Sequence, residues 1–180
     1  MKNNLELKAI AGKIKLVAFD IDGVMTDGSL TFDENGVEYK TYNSKDGLGV
    51  IMLSRAGIIP AIITARNNGT VVHRAKILGI TELYQGQKNK ISALEELLEK
   101  YNLTYAETAY MGDDLPDLCV LEKVGLPCCP ADAVEDVLAA SKFISAKGGG
   151  KGAVRELCEF ILKSQSVDLK QKGMVSVGRN

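Results

Sequence analysis

A short apolar run that ends in two aspartates constrains this chain more than any other feature. Ile14, Leu16, Val17, Ala18 and Phe19 lead directly into Asp20-Ile21-Asp22-Gly23. A run this short, partly β-branched and without alternation, fits a strand buried on both faces of a parallel sheet. Gly23 permits the sharp exit that such a strand needs. Ligands of open α/β sheets bind outside the carboxyl ends of the strands, so Asp20 and Asp22 are expected at the mouth of a crevice. Two carboxylates that close repel unless a cation lies between them, and Mg²⁺ is the obvious hard ion with oxygen ligands. Taken alone, the segment also reads as a loop whose aspartates merely cap turns.

Three later segments favour the site. Ile58 to Ile63 is a second apolar run, and it ends in Thr64-Ala65-Arg66-Asn67. Leu83 to Gln87 leads to Lys88-Asn89-Lys90, where a helix with Ile91, Leu94, Leu97, Leu98 and Tyr101 on its apolar stripe begins. Thr108 to Met111 runs into Gly112-Asp113-Asp114-Leu115-Pro116-Asp117. Each places polar groups just beyond a strand, so all four can converge. A lysine in a first helical turn opposes the helix dipole unless an anion is present, which favours Lys90 over Lys88 as an anion-binding group.

With these four motifs in order, the chain resembles the haloacid dehalogenase superfamily of phosphatases over roughly residues 14 to 155. Asp20 and Asp22, with Val24, match its D-x-D motif; Thr64, Lys90 and Gly112-Asp113-Asp114 match the other three. The resemblance implies a three-layer α/β sandwich around a central parallel sheet. It implies Asp20 as the nucleophile that forms an aspartyl phosphate and Asp22 as general acid and base. Mg²⁺, with Mn²⁺ or Co²⁺ as substitutes, is implied at Asp20, the backbone carbonyl of Asp22 and Asp113. Thr64 and Lys90 are implied as donors to the phosphoryl oxygens. Asp114 and Asp117 are expected behind them, with Asp114 orienting the metal ligand or Lys90.

The intervals between motifs hold βα units and leave no room for a cap domain. What does fit is a flap at about residues 29–42, a β-hairpin with Asn35-Gly36 in its turn. In detail the chain resembles the capless sugar-acid phosphatases of the superfamily, from its start to about residue 163. That branch implies a homotetramer whose flaps wall neighbouring sites. It implies a substrate, 3-deoxy-D-manno-octulosonate 8-phosphate, on the route to lipopolysaccharide. Contacts to that sugar-acid phosphate are implied for Asp22, Asn43, Ser44, Lys45, Asp46, Gly47, Arg66, Arg74 and Lys90, since an arginine fork pairs bidentately with a carboxylate. Read from sequence alone, Asp46-Gly47 is equally a helix start, and Arg74 a solvated residue beside an inward face of Val72, Ala75 and Leu78. The alternatives are an acylneuraminate 9-phosphate as substrate, a phosphomutase or broad phosphatase, and a non-catalytic phospho-acceptor or binding module.

Lysine and arginine number 22 against 23 acids, and no basic arm points to nucleic acid. No apolar run is long enough for a membrane span, and the polar start Met1 to Glu6 is unlike a secretory leader. A soluble cytoplasmic protein of one domain, residues 1–163, is expected, with a flexible tail over 164–180. Cys119, Cys128, Cys129 and Cys158 lack the spacing of a zinc site, and Cys158 falls on an inward stripe with Val154, Leu157, Ile161 and Leu162. Gly148-Gly149-Gly150-Lys151-Gly152 lacks the ending of a nucleotide-binding loop and reads as an edge of the site.

Overall fold

The computed structural model describes residues 2–173. Helix α1 (Lys2–Ala11) leads into strand β1 (Leu16–Phe19), and a hairpin of β2 (Thr31–Phe32) and β3 (Glu38–Tyr39) follows. Then come α2 (Ser44–Arg55), β4 (Ile59–Ile63), α3 (Gly69–Leu78), β5 (Glu82–Tyr84) and α4 (Lys90–Tyr101). The last part comprises β6 (Thr108–Met111), α5 (Leu118–Leu121), β7 (Leu126–Cys129), α6 (Glu135–Ala140), β8 (Phe143–Ile144), α7 (Ala153–Ser164) and α8 (Leu169–Gly173).

Six strands form one parallel sheet in the order β5-β4-β1-β6-β7-β8. The chain fills one side of β1 with β4 and β5, then returns to its other side with β6. The direction of winding therefore reverses about β1, and the crevice of such a sheet opens at that reversal. All four residues of β1 are fully buried, because successive side chains enter opposite layers. Val17 and Phe19 pack among α2, α3 and α7, whereas Leu16 and Ala18 pack against α4, α5 and α6. Each large apolar side chain so buried stabilises the fold by roughly 1.5–3 kcal/mol before entropy is counted. Helices cover both faces, and among the described residues there is no separate cap.

Helix α7 buries the expected stripe of Val154, Leu157, Cys158, Ile161 and Leu162. Helix α3 is rotated relative to the sequence expectation. Val71, Ala75 and Leu78 face the core, and Val72 is half exposed. Positions 71, 75 and 78 keep the 3.6-residue period, and residue 72 lies about a quarter-turn from the centre of that stripe. The segment after Ser164, expected as flexible, carries a short helix in its first part. Ser166 adopts a left-handed backbone, Val167 N–H closes on Leu162 O, and Asp168 accepts from Lys170 N–H at the start of α8. Val167 and Leu169 then pack on the core, and Arg55 and Lys172 each donate to the other's carbonyl. Two apolar residues and a cap stabilise a helix that composition alone did not suggest. The expected tail beyond residue 173 lies outside the described residues.

Candidate active site

The carboxyl ends of β1, β4 and β6 surround a crevice of about 280 Å³ lined by Asp20, Asp22, Thr64, Arg66, Lys90, Asp113, Asp114 and Asp117, among others. A larger groove of about 740 Å³ lies between α1, β8 and α7, but its lining of Leu7, Ile10, Phe143, Ile144 and Phe160 gathers no comparable set of titratable groups. The chemistry therefore resides in the smaller crevice.

The loop after β1 is wound around one carbonyl. Ile21 O accepts from the N–H groups of Val24, Met25 and Thr26 and from the Thr26 hydroxyl. This winding turns Gly23 to φ +82°, and a Cβ there would stand 2.0 Å from Asp113 Oδ2. A glycine at 23 is what lets Asp113 approach the first motif. Asp20 is pinned from behind by its N–H donating to Met111 O.

Lys90 opens α4 with its side chain almost wholly buried, 3.1 Å from Asp20 Oδ2 and 2.6 Å from Asp117 Oδ1. Burial pulls its pKa down, but the adjoining Asp20 and Asp117 outweigh this and raise it, so the ammonium stays charged. Asp117 is saturated. Its Oδ1 also accepts the Tyr110 hydroxyl at 2.5 Å, and Oδ2 accepts the N–H groups of Asp113 (3.0 Å) and Asp114 (3.3 Å). Asp114, expected to orient the metal ligand or Lys90, is exposed and caps the short turn Leu115–Asp117 by accepting from Leu115 N–H, and the pairing with Lys90 is made by Asp117. No sequence signal pointed to Tyr110, a strand residue whose partner lies seven positions on.

Asp20, Asp113 and Asp117 each offer an oxygen within 4.8 Å of the others. Asp117 is spent on its four donors, but Asp20 Oδ1 and Asp113 Oδ1 are buried without a hydrogen-bond partner. Burial, and then the proximity of other carboxylates, pushes Asp113 up to about 7, and burial with Asp117 pushes Asp20 up to about 6 against the pull of Lys90. Buried anionic oxygens without donors fit a divalent cation, which would satisfy both carboxylates at once.

Thr64 is buried at the end of β4, where its N–H donates to Tyr84 O and its carbonyl accepts from Gln87 N–H. Its neighbour Arg66 is held by Glu38 of the hairpin at 3.0 Å. Glu38 also accepts from Asn68 (2.7 Å) and Lys40 (2.9 Å), and Lys40 pairs in turn with the carboxylate of Asp22. Neither Glu38 nor Lys40 carried a signal in the sequence, because the hairpin reads only as alternating strand residues.

The other expected substrate contacts do not line the crevice. Asn43 caps α2 by accepting from Lys45 N–H, and its amide donates to Gly150 O. Ser44 and Lys45 are exposed in the first turn of α2. Arg74 donates to Asn43 O and stacks over the Tyr42 ring, and Gly47 leaves the space that its guanidinium fills. Asp46 is buried and accepts from Gly152 N–H (3.2 Å) and Arg155 N–H (2.8 Å), one on each oxygen, which makes it a cap of α7. The same contacts press the glycine run onto the first motif, with Gly150 N–H donating to Val24 O.

A family model described as haloacid dehalogenase-like hydrolase matches residues 63–157. The 3-deoxy-D-manno-octulosonate 8-phosphate phosphatase KdsC of Escherichia coli (strain B / BL21-DE3) is 42% identical over 168 residues, which is 93% of this chain and 89% of that protein. The crystal structure of 3-deoxy-D-manno-octulosonate 8-phosphate phosphatase from Moraxella catarrhalis, in complex with magnesium ion, phosphate ion and KDO, superposes with a TM-score of 0.88 at 43% identity, covering 89% of this chain and 92% of that one. The cobalt-bound deoxy-D-mannose-octulosonate 8-phosphate phosphatase of Haemophilus influenzae gives a TM-score of 0.86 at 36% identity, over 91% of this chain and 98% of that one.

Proposed function

Since the chain belongs to the haloacid dehalogenase-like hydrolases, on the branch of their 3-deoxy-D-manno-octulosonate 8-phosphate phosphatases, we propose that it hydrolyses that sugar-acid phosphate to the free sugar acid and phosphate, a step toward lipopolysaccharide. The observation that carries this reading is the pair of buried, donorless oxygens of Asp20 and Asp113 beside the buried ammonium of Lys90. That arrangement suits a divalent cation and a phosphoryl group together.

Mg²⁺ would be held by the carboxylates of Asp20 and Asp113 and the carbonyl of Asp22, with Mn²⁺ or Co²⁺ as substitutes. When bound, the ion supplies charge that lets an anionic nucleophile approach an anionic phosphate. The Asp20 carboxylate attacks phosphorus and the bond to the ester oxygen breaks, while Asp22 gives that oxygen a proton. Asp22 then takes a proton from water, whose oxygen displaces Asp20 from phosphorus and frees phosphate. Lys90 and the Thr64 hydroxyl donate to the phosphoryl oxygens as charge shifts, and Asp117 and Tyr110 keep Lys90 aimed. Arg66, at the rim, suits the substrate's carboxylate.

The hairpin exposes Leu30, Phe32, Val37 and Tyr39, each more than half exposed. Such a patch supports a homotetramer in which flaps cover neighbouring sites. Among the described residues no helix is long and apolar enough to cross a membrane, in keeping with a cytoplasmic enzyme.

Phosphate release with Mg²⁺ tests the reading, by comparing kcat/KM for 3-deoxy-D-manno-octulosonate 8-phosphate, N-acetylneuraminate 9-phosphate and hexose phosphates. A preference of about a hundredfold for the first, roughly 2.7 kcal/mol of discrimination, is expected. A flat profile would send the search to another substrate. Asp20→Asn should abolish release while the protein stays folded.

A further inference from the structure

The hairpin is too short to be stable by itself, with two paired residues in each strand. Its inward anchor is ionic. Lys40, just beyond β3, keeps only 1% of its side chain exposed and bridges two carboxylates, Asp22 Oδ1 and Glu38 Oε1. Glu38 is itself fixed by Arg66 and Asn68, both beyond the end of β4. Burying a lysine is costly unless its charge is met, and one of the two anions meeting it is the carboxylate that must exchange a proton with substrate.

We propose that Lys40 is a positioning residue for Asp22: the flap lysine, clamped by Glu38, fixes the rotamer of the acid–base carboxylate and so takes part in leaving-group departure. The inference rests on the phosphatase reading and adds to it a residue outside the four motifs. Asp22 is in a loop, and its second oxygen, Oδ2, is buried without a hydrogen-bond partner. Lys40 is thus its side-chain tether among the described residues. Without that tether the carboxylate is free to rotate away from the ester oxygen, and misplacement of a catalytic group by about 1 Å can cost on the order of a hundredfold in rate.

The test exploits the leaving group. Departure of a sugar alkoxide needs the proton that Asp22 delivers, whereas nitrophenolate departs without one. Because kcat/KM reports steps up to the first irreversible one, Lys40→Met should lower kcat/KM for the sugar-acid phosphate at least tenfold and for p-nitrophenyl phosphate less than threefold, a weaker copy of Asp22→Asn. Most of the loss should fall on kcat rather than KM. Lys40→Arg should recover part of it, and Glu38→Gln, which leaves Lys40 paired but unclamped, should show the same pattern in milder form. Circular dichroism of each variant checks that the fold survives. Equal losses on both esters would mean that Lys40 only holds the structure together, and no loss on either would mean that the pair is idle; both results overturn the proposal. A wild-type protein that turns over p-nitrophenyl phosphate but not the sugar-acid phosphate would overturn only the substrate assignment, with another alkyl phosphate then serving in the comparison. Failure on every phosphate ester would overturn the phosphatase reading and this inference with it.

Discussion

Lys90 and Asp117 form a buried ion pair, 2.6 Å from Nζ to Oδ1, that ties the first turn of α4 to the loop after β6. The pair joins two elements that do not touch in sequence, and it aims the ammonium at Asp20. Asp117→Asn keeps the shape but removes the charge and reverses half of the amide's hydrogen-bonding capacity. Breaking one partner of a buried pair costs about 3–5 kcal/mol. We expect the unfolding free energy to fall by that order, seen as a lower denaturant midpoint in chemical denaturation, and phosphate release to fall in steady-state kinetics.

Gly23→Ala should act on metal binding. A Cβ at φ +82° would lie 2.0 Å from Asp113 Oδ2, so either the loop or the carboxylate must move. The backbone strain alone is about 1–2 kcal/mol. Calorimetric titration with Mg²⁺ should show affinity weakened at least tenfold while the sheet signal in circular dichroism persists.

Metal affinity and stability should depend on pH in opposite directions. Asp20 and Asp113 are raised to about 6 and about 7 from an ordinary 3.8. In the metal-free protein the folded state therefore holds more protons than the unfolded chain between pH 3.8 and about 7, and its stability falls as pH rises through that window. Mg²⁺ displaces those protons, so its affinity rises over the same range. Thermal melts of chelator-treated protein, and Mg²⁺ titrations on either side of pH 7, measure both slopes. A metal affinity independent of pH would mean that these carboxylates are not the ligands.

Asp46→Ala separates a structural from a substrate role. Loss of the α7 cap leaves two backbone N–H groups, those of Gly152 and Arg155, without their acceptor. A destabilisation of about 2 kcal/mol is expected. KM for the sugar-acid phosphate should change less than threefold in the folded variant. A large rise in KM with unchanged stability would restore Asp46 to the site.

Much of this molecule is determined by local pattern. The double-sided burial of Leu16 to Phe19 follows from an apolar run too short for a helix, and the faces of α4 and α7 follow from the 3.6-residue period. Asp20, Asp22, Thr64, Lys90 and Asp113 were legible because each stands directly after a strand or at a helix start, and a parallel sheet brings such positions to one edge. The tertiary structure alone decided the rest. A carboxylate has two oxygens, and which donors reach them depends on elements remote in sequence. Asp46 was therefore taken by the N-terminus of α7, 106 residues away, and Asp117 rather than Asp114 took Lys90. Lys40 and Glu38 gained their place by the same rule, because a hairpin with little pairing of its own must fold onto something, and the opposite charges of Asp22 and Arg66 at the crevice supplied the anchor.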